Sequence, residues 1–210
     1  MRRRARSCAA GCIGTPTAIR SPSWSCWTRK PASTSHSGIS DLSVDIVTAQ
    51  PADADELAVV AALTFPMACP QSAAPKHIAE FVEANLSATR FAEYLSDPRR
   101  AILTARHNGR IVGYAILVHD TDDRDHSVEL SKLYVLADFH GKGVSSALMG
   151  AALATAAGWG ARSLWLGVNQ KNQRAQRFYI KSGFTVNGTR TFRLGPQLEH
   201  DYTMIRPLSS

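Results

Sequence analysis

Cysteine is scarce in this 210-residue sequence, and its placement argues against a disulfide-stabilised domain. Cys8, Cys12 and Cys26 lie near the amino terminus, and Cys69 is the single cysteine beyond residue 40. One cysteine cannot form a disulfide within a domain, and the Cys8–Cys12 spacing lacks a second close pair of zinc ligands. We therefore expect no bound metal and a reducing, cytoplasmic location.

Long apolar runs are also missing, and their absence excludes a membrane-spanning helix of roughly 18 residues. The most apolar stretch, residues 144–159, is interrupted by serine, threonine and glycine. Its spacing favours a helix packed against other protein. We expect no membrane partner.

Acidic residues are absent from residues 1–40, which contain seven of the 24 basic residues. The other 17 basic residues are matched by all 17 acidic ones, so residues 41–210 have no net charge. This balance argues against a nucleic-acid surface on the domain. We expect residues 1–40 to be a disordered, Arg- and Ser-rich extension. An extension without function, a targeting segment and a binding arm all fit its composition.

Helical and alternating patterns are mixed along residues 41–210, which predicts one α/β domain without internal repeats. Asn108-Gly109 between two alternating segments predicts a hairpin, and a strand–helix–strand segment predicts a parallel crossover. We expect a mixed, mostly antiparallel twisted sheet flanked by helices. Strands are predicted at residues 43–47, 101–106, 111–119, 127–136, 163–168, 184–194 and 202–207, and helices at 51–65, 75–86, 88–95, 144–159 and 172–181.

A glycine-containing turn, His140-Gly-Lys-Gly143, joins a predicted strand directly to a predicted helix. Backbone N–H groups at a helix start attract anions, and glycine lets the backbone approach phosphate oxygens closely. The small residues Ser145 and Ser146 add hydroxyl donors. The spacing fits neither a Walker loop nor a dinucleotide fingerprint, and a purely structural turn is the alternative.

Three segments carry a resemblance to a known family: Leu133-Tyr-Val-Leu-Ala-Asp-Phe-His-Gly-Lys-Gly-Val-Ser-Ser-Ala-Leu148, Leu164-Trp-Leu-Gly-Val-Asn169 and Asn172-Gln-Arg-Ala-Gln-Arg-Phe-Tyr-Ile-Lys-Ser-Gly-Phe184. Together they resemble the GNAT superfamily of acetyl-CoA-dependent N-acetyltransferases over residues 43–208. With the ending Asp201-Tyr-Thr-Met-Ile205, they look most like bacterial spermidine/spermine acetyltransferases of the PaiA type.

The resemblance implies where acetyl-CoA binds. The glycine turn would hold the pyrophosphate, the preceding strand would pair with the pantetheine arm, and the last helix would approach the thioester. His140 and Ser145 depart from the family's usual Arg or Gln and Gly or Ala. The implied cofactor-binding residues are Leu133, Tyr134, Val135, His140, Gly141, Lys142, Gly143, Val144, Ser145, Ser146, Asn172 and Tyr179.

Acetyl transfer requires an amine that has lost its proton, because an alkyl ammonium of pKa ~10.4 cannot attack a thioester. Glu129 is our candidate base, since it lies four residues before Leu133 and regular alternation would place both on one face. Backbone N–H groups near Leu133 or Tyr134 would stabilise the oxyanion, and Tyr179 would protonate the departing thiolate. A salt-bridged Glu129, a core Tyr179 and a helix-capping Asn172 are the structural alternatives.

The sequence therefore predicts an N-acetyltransferase that moves an acetyl group directly to a primary amine in a ternary complex. A polyamine or similar small amine is favoured, a protein amine is the competing acceptor, and a non-catalytic acetyl-CoA-binding regulatory module is the alternative function. Residues 119–126 hold four carboxylates and two histidines but lack the glycine of a calcium loop. We interpret them as a solvated loop or an acidic rim; the oligomeric state stays open.

Overall fold

The computed structural model describes residues 43–119 and 126–208. The predicted extension at residues 1–40 and the acidic loop at 120–125 lie outside the described residues. Within the described part, none of the helices is long and apolar enough to cross a bilayer. The same residues contain no group of three His, Cys, Asp or Glu side chains arranged to hold a metal ion.

The elements follow the predicted order, with two short 3-10 turns at Pro51–Asp53 and Ala137–Phe139. The helices are α1 (Ala54–Ala68), α2 (Pro75–Leu86), α3 (Ala88–Ser96), α4 (Val144–Gly158) and α5 (Gln173–Lys181). The strands are β1 (Asp45–Thr48), β2 (Arg100–His107), β3 (Arg110–His119), β4 (Ser127–Val135), β5 (Ser163–Asn169), β6 (Thr185–Leu194) and β7 (Gln197–Pro207).

The strands form one seven-stranded sheet in the order β1-β2-β3-β4-β5-β7-β6. β4 and β5 run parallel, and the other neighbouring pairs are antiparallel. This confirms the predicted mixed, mostly antiparallel sheet. The crossover from β4 to β5 passes through α4, as a parallel pair requires.

β7 begins five residues earlier than predicted, at Gln197 instead of Tyr202. The turn after β6 contains Gly195 at φ +59°, so the chain reverses at once and pairs along the whole hairpin. Glu199 and Asp201 occupy inward-facing positions of this strand, each with 6% of its surface exposed. Acidic residues at buried positions conceal the usual apolar alternation, which is why the pattern missed this part of the strand.

Two apolar cores cover opposite faces of the sheet. α4 packs on one face, where Leu148 and Ala152 join Leu117 and Leu164 in what we call the α4-side core. The helices α1, α2 and α3 cover the other face, which we call the α1 face, and form the α1-side core around Leu57, Phe91 and other buried residues. A site that passes through the sheet therefore lies between two separate groups of helices.

Candidate active site

The parallel strands β4 and β5 pair at their first residues only and then separate. Their paired residues are Ser127 with Ser163, Val128 with Leu164, and Glu129 with Trp165. Both strands continue, to Val135 and Asn169. The gap opens into a cleft of about 860 Å³ that is lined by residues from both faces of the sheet.

A bulge in β4 falls where the strands separate. Lys132 is opposite Ile116 and Leu130 is opposite Leu117, so Ser131 has no partner on β3. One extra residue in a strand reverses the direction of every side chain beyond it. The regular alternation assumed in the sequence prediction is therefore interrupted at Ser131.

The bulge corrects the predicted position of Glu129. Leu133 is opposite Ala115, which belongs to the α4-side core, whereas Glu129 is opposite Val118, which packs with the α1-side core. Glu129 and Leu133 thus lie on opposite faces, and the same-face argument was wrong. Lys132 shares the α1 face with Glu129.

The α4 end of the cleft contains the predicted glycine turn. Gly141 and Gly143 have φ angles of +75° and +82°, which side chains rarely tolerate, and Gly143 is the residue before the first turn of α4. The first N–H groups of α4 have no partner within the helix, so they are available to an anion. The lining at this end consists of His140, Gly141, Gly143, Ser145, Ser146 and Asn172, together with Arg174 from α5.

Side chains in the same turn differ in whether they reach the cleft. His140 donates from Nε2 to the carbonyl oxygen of Val135 at 2.8 Å, which fixes the ring against the end of β4. Val144 is fully buried in the α4-side core, and the Lys142 ammonium lies 5.4 Å from the Phe139 ring centre. Neither Lys142 nor Val144 lines the cleft, so the structure does not bring these two predicted cofactor-binding residues into it.

The helix α5 supplies the wall opposite β4. Asn172 caps it, since its Oδ1 accepts a hydrogen bond from the Ala175 N–H at 3.1 Å. Tyr179 lines the cleft and packs with Phe178 and Phe184 at ring-centre distances of 5.4 and 5.9 Å. Burial raises the pKa of Tyr179 to about 12, so its hydroxyl stays protonated and able to donate near neutral pH.

The α1 end of the cleft, as we name it, has an apolar wall and a polar floor. The wall includes Phe65, Cys69, Phe81 and Phe192, with the Phe65 and Phe81 rings stacked 4.6 Å apart. The pKa of Cys69 is raised to about 11 by burial and by the charge of Glu199. A thiol that stays protonated is a poor nucleophile, so Cys69 contributes to the shape of the apolar wall and not to the chemistry.

The floor of the α1 end contains four charged side chains that the sequence prediction missed. They are Lys132, Arg190, Glu199 and Asp201. Glu199 accepts hydrogen bonds from Asn169 at 3.3 Å and from Lys171 at 3.2 Å. Glu199 and Asp201 are two residues apart, which is the spacing of side chains on one face of a strand. This spacing indicates a polar cleft floor only once the pairing of β7 with β6 is known.

Arg190 connects the two sides of the gap. Its Nη1 lies 3.3 Å from Oε1 of Glu129 on β4, and its Nε lies 3.5 Å from Oδ2 of Asp201 on β7. Between them the guanidinium crosses β5 at Gly167, where a Cβ atom would collide with it, and sits 5.5 Å from the Trp165 ring centre. Burial raises the pKa of Asp201, and Arg190 opposes that shift.

Most predicted site residues meet in this one cleft. Those that line it are Leu133, Tyr134, Val135, His140, Gly141, Gly143, Ser145, Ser146, Asn172 and Tyr179. Glu129 is not part of the lining and reaches it through Arg190. Tyr134 packs against Tyr114 and Phe65, and burial raises its pKa above the usual tyrosine range.

Sequence comparison assigns the family. A model of the acetyltransferase (GNAT) family matches residues 67–184. Uncharacterized N-acetyltransferases of Mycobacterium tuberculosis and Mycobacterium bovis are 70% identical over 156 residues, which cover 74% of this chain and 98% of each relative. A further uncharacterized N-acetyltransferase, from Lactobacillus delbrueckii subsp. lactis, is 25% identical over 79% of this chain and 98% of its own.

Solved structures show the same fold at low identity. The PaiA N-acetyltransferase of Thermoplasma acidophilum, in complex with coenzyme A, matches with a TM-score of 0.69 and 20% identity over 79% of this chain and 99% of its own. The ribosomal-protein-S18-alanine N-acetyltransferase of Escherichia coli matches with a TM-score of 0.62 and 20% identity, over 80% of this chain and 96% of its own. Since the family model spans more than half of the sequence and the mycobacterial relatives are 70% identical over 156 residues, the chain belongs to the acetyltransferase (GNAT) family.

Proposed function

We propose that this acetyltransferase moves the acetyl group of acetyl-CoA directly to a primary amine, with both substrates bound at once. The observation that carries the proposal is the gap between β4 and β5. It joins the helix start of α4 on one face to a floor of charged side chains on the other. The coenzyme A complex of the PaiA N-acetyltransferase, a neighbour in fold, supports the choice of donor.

The α4 end fits the phosphates of coenzyme A. The N–H groups at the start of α4 and the positive end of the helix dipole favour phosphate oxygens. Arg174 of α5, which lines the cleft, adds a cation. The pantetheine arm would then extend along the β4 edge that β5 leaves unpaired, beside Leu133 and Val135, in the manner of an added strand.

The reaction needs a proton acceptor, an oxyanion site and a proton donor. We assign Glu129 to remove the ammonium proton, because its carboxylate lies on the α1 face of β4. Arg190 stands between this carboxylate and the cleft, so the proton would pass through water. The amine nitrogen then bonds to the thioester carbon while β4 N–H groups near Leu133 or Tyr134 stabilise the oxyanion. The carbon–sulfur bond breaks as the Tyr179 hydroxyl protonates the thiolate of coenzyme A, and the second proton of the nitrogen then passes to the tyrosinate, which leaves the neutral amide. Holding both substrates in one cleft supplies much of the acceleration.

The acceptor amine would bind at the α1 end. Asp201 and Glu199 provide carboxylates for an ammonium group, and the apolar wall accommodates a methylene chain. Polyamines, implied by the PaiA-type resemblance, and protein amines both present such a group. The PaiA neighbour, at 20% identity, shows the fold alone.

The test is release of free coenzyme A thiol by the full-length protein. It is assayed with spermidine, spermine, diamines, amino acids and lysine peptides, with acetyl-CoA binding measured in parallel. Turnover on one class of amine, with kcat lowered at least tenfold by Tyr179→Phe while binding persists, supports the proposal. Acetyl-CoA binding without turnover on any amine would favour a regulatory acetyl-CoA-binding module instead.

A further inference from the structure

Lys132 lies on the floor of the α1 end and faces the cleft. It is opposite Ile116 in the register and therefore projects from the α1 face of β4, where it is part of the cleft lining. Over residues 43–119 and 126–208, no carboxylate oxygen comes within the 4.0 Å ion-pair limit of its amino group. Lys132 is thus a cation available to a ligand.

The charged groups that act on Lys132 are mainly positive. Arg100 and Arg190 bring positive charge to the same face, and the nearby Glu129 is already bound by Arg190 at 3.3 Å. Burial and these two arginines lower the pKa of Lys132, while Glu129 opposes the shift. A buried ammonium is costly unless an anion pairs with it, so an anionic group of a ligand would be bound strongly at this point.

The charges at the α1 end cancel. The acidic groups there are Glu129, Glu199 and Asp201, the basic groups are Lys132, Lys171 and Arg190, and the nearby Arg100 is matched by Asp97 at 3.1 Å. A polyamine would add several positive charges to a neutral site. A molecule with one ammonium and one carboxylate adds no net charge, and each of its groups meets an opposite charge.

We propose that the acceptor is a small amino carboxylate, a molecule that carries a carboxylate besides its primary amine, and that Lys132 binds the carboxylate. This inference rests on the proposed function and narrows its acceptor class. When Lys132 binds the carboxylate of the acceptor, the amine of the acceptor can extend along the floor toward Asp201 and the unpaired edge of β4. Lys132 is then a specificity-determining residue, and the transfer step is the one described above.

Matched pairs of acceptors test this proposal with the full-length protein. Lysine is compared with cadaverine and lysinamide, and ornithine with putrescine, so that each pair differs at the carboxylate. We expect kcat/KM to be roughly 10- to 100-fold higher for the carboxylate member, the size of a charge-assisted hydrogen bond. Lys132→Met is expected to bring this ratio close to one, mainly by raising KM for the carboxylate acceptor.

Two further variants keep the test independent of folding defects. Lys132→Arg retains a cation and is expected to keep most of the preference. Lys76→Met removes a lysine that is 80% exposed on α2 and is expected to leave the ratio unchanged. Circular dichroism and acetyl-CoA binding verify that each variant is folded.

Three outcomes would overturn the inference. Diamines or spermidine turned over as well as the amino carboxylates would show that the site does not select a carboxylate. If Lys132→Met keeps the preference for carboxylate acceptors, residues other than Lys132 cause that preference. Acetyl-CoA binding with no turnover on any amine would overturn the proposed function itself, and the inference with it, so the two failures can be told apart.

Discussion

Arg190 holds the carboxylate of Glu129 at 3.3 Å across the gap between β4 and β5. The same guanidinium reaches Asp201 at 3.5 Å, so one side chain on β6 ties β4 to β7 beneath the cleft. Glu129 is thereby kept in a fixed place on the α1 face, although it does not line the cleft itself. Arg190 is a positioning residue for the proton acceptor that we propose.

Replacing Arg190 should lower the rate more than the affinity. We expect Arg190→Gln to reduce kcat about tenfold or more, with a smaller change in the KM for acetyl-CoA, because Glu129 loses its partner while the α4 end is intact. Steady-state kinetics check this. Arg193→Gln, at an exposed position on the same strand, is the control and should behave like the wild type. An Arg190→Gln enzyme with unchanged kcat would remove Arg190 from the reaction.

Gly167→Ala should reproduce the kinetic defect of Arg190→Gln without removing a charge. A Cβ at Gly167 collides with the guanidinium of Arg190, which is flexible enough to move away and release Glu129 and Asp201. We expect the double variant to be no worse than either single one, since both act through the same contact. Gly150→Ala, where a Cβ meets nothing within 4 Å, is the matched control on α4. Additive losses in the double variant would contradict the shared mechanism.

The glycine turn should show its binding role when stability and affinity are compared. Gly143→Ala places a side chain at φ +82°, which costs about 1–2 kcal/mol, and shifts the N–H groups at the start of α4. We expect a lower unfolding free energy in urea and a higher Kd for acetyl-CoA. Gly109→Ala, at φ +77° in the β2–β3 hairpin, should lose similar stability with no change in Kd. Equal Kd values for both variants would make the turn purely structural.

Cys69 should react slowly with alkylating reagents. With a pKa of about 11, it has far less thiolate at pH 8 than an ordinary cysteine of pKa ~8.5, which corresponds to roughly 200-fold slower alkylation. Iodoacetamide labelling at pH 8, followed by peptide mass spectrometry, measures the rate in the native and urea-unfolded chain. Since the folded pKa is raised, the rate should increase with pH until about 11. Fast native labelling at pH 8 would show that the thiol is solvated.

Local sequence features predicted the parts of the site that depend on neighbours in the chain. The glycine turn, the start of α4 and the Asn172 cap are set by a few consecutive residues, and their positions agree with the structure. The bulge at Ser131 depends on how β4 registers against β3, so regular alternation gave the wrong face for Glu129. The Arg190–Asp201 contact likewise depends on the hairpin that joins β6 to β7.

The gap between β4 and β5 has a consequence for stability as well as for catalysis. Three residue pairs join these strands. Beyond these pairs, the facing edges of β4 and β5 are not paired with each other. If the pantetheine arm supplies backbone partners for these edges, the donor substrate completes the sheet. The folded protein would then gain about 2.7 kcal/mol at an acetyl-CoA concentration of 100 Kd. Acetyl-CoA would thus protect the folded protein against unfolding and against proteolysis of the unfolded chain.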